Sequence, residues 1–213
     1  MNDQLFSKRY LAELTCVLEN LNLKVWSKIL QELERVFYEN ATIFLIGNGG
    51  SASTASHIAN DLMLGAAKDG GHGFKAISLC DNAAVTMAIA NDTNYDQIFS
   101  RQLKVLARHG DALLSISGSG NSPNLIKAVR TANELDMITI GFLGMDGGKL
   151  LKMCGTSIVV PSDDYGLIET VHVALDHLLV DYFKQLQKSH ENIDHVPGTG
   201  LSVAQRAWIA ETA

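Results

Sequence analysis

The residues Gly47-Asn48-Gly49-Gly50-Ser51 follow the apolar run Phe44-Leu45-Ile46 and precede an alanine-rich stretch of helical character. A strand, a tight turn and a helix N-terminus in that order let glycine backbone approach an anion and point the first helical N–H groups at it. Ser51 could cap that helix or donate its hydroxyl to the ligand. Phosphate or another small anion is the expected guest, although a plain strand-to-helix turn uses the same residues. The spacing matches neither a dinucleotide fingerprint nor a nucleotide triphosphate loop. His57 and Asp61 follow on one face of the helix, as i and i+4. Together they could chelate one metal ion, or they form a surface His–Asp pair.

A second small-polar loop, Ser117-Gly118-Ser119-Gly120-Asn121-Ser122, follows the apolar run at 112–116 and leads to Pro123. Proline at the first helical position fits Ser122 as the N-cap. Hydroxyls and N–H groups in such a loop make an anion cradle. Asn91-Asp92 close the helix after the second strand, either as ligand contacts or as capping residues. The last long helix carries Glu169, His172, Asp176 and His177. Glu169 and His177 are about 12 Å apart along a helix axis, so they reach one ion only by leaning together. His172 reads as a packed or hydrogen-bonded histidine.

The elements that must hold these residues follow from periodicity. Residues 4–39 repeat apolar side chains at helical spacing, with Asn20-Leu21-Asn22 as a break. Strands are expected at 41–47, 74–80, 111–117, 136–143 and 156–161. Helices are expected at 51–65, 82–90, 94–108, 122–134, 146–153 and 166–188. Alternation of this kind implies an α/β fold with a doubly wound parallel sheet, whose ligands sit at the carboxyl ends of the strands. Residues 1–190 make the domain and 191–213 a tail, with a linker at 195–200 and a short helix Val203–Ala210 opened by Ser202 and Gln205. With 213 residues, 46% hydrophobic, the chain can bury a sizeable core. The net charge of −6 and the absence of a basic block argue against nucleic acid as the main partner. No apolar run approaches the ~20 residues of a membrane span, and the first residues lack the pattern of a signal peptide. Cys16, Cys80 and Cys154 are scattered, which suits a reduced cytoplasm.

Taken together, Gly47–Ser51, His57, Asn91-Asp92, Ile116–Ser122 and Asp146-Gly147-Gly148-Lys149 resemble the sugar isomerase (SIS) domain family. Within it the chain is similar to the heptose 7-phosphate isomerases, over roughly residues 5–188. The resemblance implies a flavodoxin-like five-stranded sheet with an N-terminal helical extension. It also implies a homotetramer with active sites at subunit interfaces and one zinc ion per subunit. The implied reaction interconverts sedoheptulose 7-phosphate and glycero-manno-heptose 7-phosphate through an enediol. By position, Asn48, Gly49, Gly50, Asn91, Asp92, Ser117, Gly118, Ser119, Ser122 and Glu169 would contact the sugar phosphate. His57, Asp61, Glu169 and His177 would bind zinc, with Asp61, Glu169 and His177 as the acid/base set. The chain departs from the family with Asp61 for a glutamate, Glu169 for a glutamine and Gly118 for a threonine. Gly166-Leu167 stand for an aspartate–arginine pair. Two other readings keep the fold: a non-catalytic binding module (a replication-initiation adaptor or sugar-phosphate sensor), and an isomerase of another sugar phosphate.

Overall fold

Every residue of Ala112–Ser117 is buried, as is all but the first residue of Thr42–Ile46 and of Ile138–Gly144. Strands apolar on both faces require helices on both faces, and parallel pairing supplies them. The computed structural model describes residues 3–67 and 72–193. Its elements run α1 (Asp3–Glu19), α2 (Leu23–Tyr38), β1 (Thr42–Ile46), α3 (Gly50–Asn60), β2 (Lys75–Ser78) and α4 (Ala83–Asp92). They continue with α5 (Ser100–Leu106), β3 (Ala112–Ser117), α6 (Pro123–Glu134), β4 (Ile138–Gly144), β5 (Thr156–Val160) and α7 (Tyr165–Ile193). The sheet order is β2-β1-β3-β4-β5, all parallel. This is the expected doubly wound α/β sheet preceded by two helices.

Strand alternation divides the core in two. Ile43 and Leu45 pack with Leu33, Ile58, Val171 and Phe183 on one side. Phe44 and Ile46 pack with Phe99, Leu103, Leu125 and Val129 on the other. The predicted break between the first helices falls at Asn22, whose Oδ1 accepts from the N–H groups of Lys24 and Val25, both at 3.2 Å. Asp164 starts α7 in the same way, accepting from Leu167 N at 3.0 Å.

Four expectations change. The helix expected at 146–153 is reduced to a 3-10 turn, Leu150–Lys152. Met145, Gly147 and Gly148 take positive φ, and Asp146 Oδ1 accepts from Gly148 N at 3.0 Å, so the chain turns instead of coiling. The segment expected as one helix at 94–108 divides into a 3-10 turn, Tyr95–Gln97, and α5. The helix at 51–65 is α-helical to Asn60 and then widens into a π-helical turn, Asp61–Gly65. Ser51 is not the N-cap: Gly49, at φ +55°, holds that position and Ser51 is buried in the first turn. No helix of the described residues is long and apolar enough to cross a membrane. The tail and its short helix lie outside the described residues.

Candidate active site

β1 and β3 are neighbours, with Ile46 opposite Ser115, yet the chain leaves β1 towards β2 and leaves β3 towards β4. A crevice therefore opens at their carboxyl ends, the place where open α/β sheets bind ligands. The loops that leave the two strands flank it. Gly47 lets the first of these turn back: a Cβ there would lie 2.4 Å from Ser51 O. A reciprocal amide pair joins the loops. Asn48 Nδ2 donates to Asn124 Oδ1 at 2.9 Å, and Asn124 Nδ2 donates to Asn48 Oδ1 at 2.8 Å. Tyr95 Oη donates to the same Asn48 oxygen at 3.0 Å.

The serine loop is shaped by its own side chains. Ser117 Oγ accepts from Gly120 N at 3.0 Å and Ser119 Oγ from Asn121 N at 3.3 Å. Each hydroxyl keeps its proton to donate outward. Ser122 sits at the N-cap of α6 but makes no side-chain capping bond, so its hydroxyl is uncommitted. The segment 147–150 closes behind this loop. Leu150 N donates to Gly120 O at 3.0 Å, and a Cβ on Gly120 would lie 2.0 Å from Gly147 O. At Gly118 the space of a side chain is taken by Tyr165: a Cβ would meet its ring at 2.6 Å.

α3, the π-helical turn that follows it and α7 bring four titratable groups together. His57 Nε2 lies 3.4 Å from Asp61 Oδ2 and 3.7 Å from Asp176 Oδ2, and His177 Nε2 lies 4.0 Å from Asp61 Oδ2. Each of the four residues offers one ligand atom, and these atoms all lie within 4.8 Å of one another. Ligand atoms around a tetrahedral zinc stand about 3.3–3.6 Å apart, given bonds of about 2.0–2.2 Å. The donor set is therefore near the size for one ion. Asp176 is 0% exposed and neither of its carboxylate oxygens has a hydrogen-bond partner. Such a group is costly to bury, and a cation among these atoms would satisfy it. Burial, and then the charge of Asp61, push the Asp176 carboxyl up to about 6, with His57 and His177 pulling it down. His172, also on α7, is buried with its Nε2 3.3 Å from Leu143 O; burial pushes its pKa down to about 4. It is the packed, hydrogen-bonded histidine the sequence suggested.

Of the sequence-predicted residues, the structure brings His57, Asp61 and His177 into one cluster. Glu169 stands apart from it, against Gly50: a Cβ on Gly50 would lie 2.7 Å from both of its carboxylate oxygens. Asn48, Gly49 and Gly50 lie in the loop and first helical position after β1, and Ser117, Gly118, Ser119 and Ser122 lie at the end of β3 and in the loop after it. Asn91 and Asp92 end α4, where Asn91 Nδ2 donates to Asp92 Oδ1 at 3.0 Å, shortly before Tyr95. Asn124 and Tyr165 carry no sequence signal of their own, since each is defined by the loop it meets. Asp176 has one, its i+7 spacing from Glu169.

Residues 9–144 match the SIS domain family model. The chain is 36% identical to the phosphoheptose isomerase of Helicobacter pylori (strain P12), over 90% of this chain and 100% of that protein. It is 43% identical to the phosphoheptose isomerase of Aliarcobacter butzleri (strain RM4018), over 64% of this chain and 72% of that one. The solved phosphoheptose isomerase of Neisseria gonorrhoeae superposes with a TM-score of 0.78 at 31% identity, covering 85% of this chain and 98% of its own. The chain belongs to the SIS-domain family and, within it, to the phosphoheptose isomerase-like aldose–ketose isomerases.

Proposed function

We propose that this sugar-phosphate isomerase interconverts sedoheptulose 7-phosphate and glycero-manno-heptose 7-phosphate through an enediol. It would act in the cytoplasm as a homotetramer with active sites at subunit boundaries, residues 1–190 forming the catalytic domain. The observation that carries the reading is the crevice itself. One wall is a serine loop with donors free for a phosphate, and the other is a glycine loop that begins the helix carrying His57. The similar proteins are phosphoheptose isomerases, which supports a heptose phosphate as the class of sugar.

The chain's own groups divide the work by position. Ser117, Ser119 and Ser122 bind the phosphate, and Asn48, Gly49, Gly50, Asn91 and Asp92 hold the sugar hydroxyls. A carboxylate, Asp61 or Glu169, takes a proton from C1 of the ketose and returns it to C2 of the enediol. A second group, His177, moves the hydroxyl proton between O1 and O2 when its nitrogen is not held by the metal. His57, Asp61 and His177 would hold zinc together with one carboxylate of α7. When bound, zinc supplies Lewis-acid polarisation of the sugar oxygens.

Isomerisation in deuterium oxide tests the proton route. One solvent deuterium at the receiving carbon of the product is expected. Binding of sedoheptulose 7-phosphate with no turnover under any metal supplement would favour a sugar-phosphate-binding module instead.

A further inference from the structure

The amide pair between Asn48 and Asn124 would be satisfied equally well with both amides turned over, because each carries one acceptor oxygen and one donor nitrogen. Leu125 removes that freedom. Its backbone N–H can only donate, and it donates to Asn124 Oδ1 at 3.0 Å. Asn124 is 1% exposed, so turning its amide would press an NH2 group against that N–H in the interior. The Asn124 oxygen is thereby fixed, and the pair passes the choice on to Asn48. We infer that Asn124, directed by the Leu125 N–H, is the positioning residue that makes Asn48 a donor-only contact, so that the sugar oxygen Asn48 holds must accept. The inference rests on the proposed sugar-phosphate site and specifies what Asn48 reads there.

The groups around Asn48 leave it one kind of contact to offer. Its Oδ1 accepts from Asn124 Nδ2 at 2.8 Å and from Tyr95 Oη at 3.0 Å, which fills both lone pairs. A tyrosine hydroxyl can give or take a hydrogen bond, but against this oxygen it can only give. Asn48 Nδ2 spends one proton on Asn124 Oδ1 at 2.9 Å, and its other proton has no partner among the described residues. Asn48 is half-buried and stands directly before Gly49, in the loop that starts α3. Three protein hydrogen bonds therefore hold the free N–H in place before any sugar arrives, so aligning it costs no reorganisation on binding. A hydroxyl or a water at this point could turn to suit either partner. This amide cannot, and a sugar that offered it only a proton would set two donors face to face.

Side-chain amide NMR reads the donor directly. With asparagine side chains labelled with nitrogen-15, the Asn48 pair of signals is identified by its loss in Asn48→Ala. Saturating sedoheptulose 7-phosphate should shift one Nδ2 proton of Asn48 and leave the other, held by Asn124, in place. Inorganic phosphate alone should shift neither, because the phosphate group belongs to the serine loop. Asn124→Leu should shrink the shift and weaken sugar-phosphate binding about 2–10-fold, the worth of one neutral hydrogen bond. Tyr95 is 55% exposed, so Tyr95→Phe keeps the test readable if Asn124→Leu does not fold. There the shift should survive, since Leu125 still directs Asn124. No Asn48 shift with the sugar phosphate bound, a shift with inorganic phosphate alone, an undiminished shift in Asn124→Leu, or its loss in Tyr95→Phe overturns the inference. A protein that binds no sugar phosphate sinks the proposed function and the inference with it. Binding with the shift but without turnover sinks the isomerase reading and leaves the donor assignment standing.

Discussion

His57 Nε2 and Asp176 Oδ2 face each other at 3.7 Å across two helices that leave different strands of the same sheet. The pair is made by topology. α3 follows β1 and α7 follows β5, and the two helices meet on the face of the sheet that also buries Ile58, Val171 and Leu175. The metal-binding geometry is thus only as good as the packing between α3 and α7. Ile58 and Leu175 are the apolar residues next to the facing pair.

The amide pair of Asn48 and Asn124 should hold the crevice to one width. Asn124 is 1% exposed and also caps Leu125 N at 3.0 Å. Asn124→Ala should cost about 1–3 kcal/mol in urea unfolding, because it strands buried partners. Asn48→Ala added to it should cost much less than it does alone, since the partner is already gone. Additive losses would show that the two amides do not work as a pair.

Phosphate recognition should depend on the uncommitted hydroxyls. Ser119→Ala with Ser122→Ala should weaken sugar-phosphate binding by at least about tenfold, as each charge-assisted bond is worth about 1.5–3 kcal/mol. Titration calorimetry reads this directly, and unchanged affinity removes the loop from the site.

The missing side chain at Gly118 makes room for Tyr165. Gly118→Ala should destabilise by about 1 kcal/mol through overpacking against the ring. In a Tyr165→Ala background the same change should be close to neutral. Thermal melts of the four proteins give the coupling, and an equal cost in both backgrounds would separate the two residues.

Acid stability has two opposed parts in the metal-free protein. His172, pushed down to about 4, stays neutral in the folded state. Its contribution is complete above the unfolded value of 6.5 and is lost as pH falls from there towards 4, by about 3 kcal/mol. Asp176, raised to about 6, takes up its proton in the folded state first, so stability rises as pH falls through that value towards 3.8. Relative to the parent, His172→Gln should gain stability on acidification from pH ~7 to ~4, and Asp176→Asn should lose it. Urea midpoints with chelator present check this; parallel pH curves for all three proteins would contradict it.

Assembly should use the apolar surface that the sheet leaves uncovered. α4 buries none of its residues, and Met87 and Val105 are 65% and 73% exposed beside the groove between α4 and α5. Met87→Glu with Val105→Glu should shift the proposed tetramer towards smaller species in light scattering at micromolar concentration. A monodisperse monomer of the parent protein would contradict the tetramer.

The sheet was legible because its central strands, β1, β3 and β4, are largely apolar and buried on both faces, and the two crevice loops follow β1 and β3. His57 and Asp61 were legible as a pair because four residues make one helical turn. The choice between Glu169 and Asp176 was not legible. Both lie on the same face of α7, and only the packing partner, Gly50 or His57, separates them. Asn124 looked like an ordinary first-turn helix residue, because its partner is 76 positions away. The segment 146–153 read as a helix because left-handed backbone at Met145, Gly147 and Gly148 leaves no mark in periodicity.

The most direct test of the proposed activity follows the sugar itself. Purified protein is incubated with sedoheptulose 7-phosphate after chelation and again after zinc is restored, and the products are resolved by NMR. Glycero-manno-heptose 7-phosphate should form with zinc and stop forming without it. Zinc-loaded, folded protein that leaves sedoheptulose 7-phosphate unchanged would contradict the account.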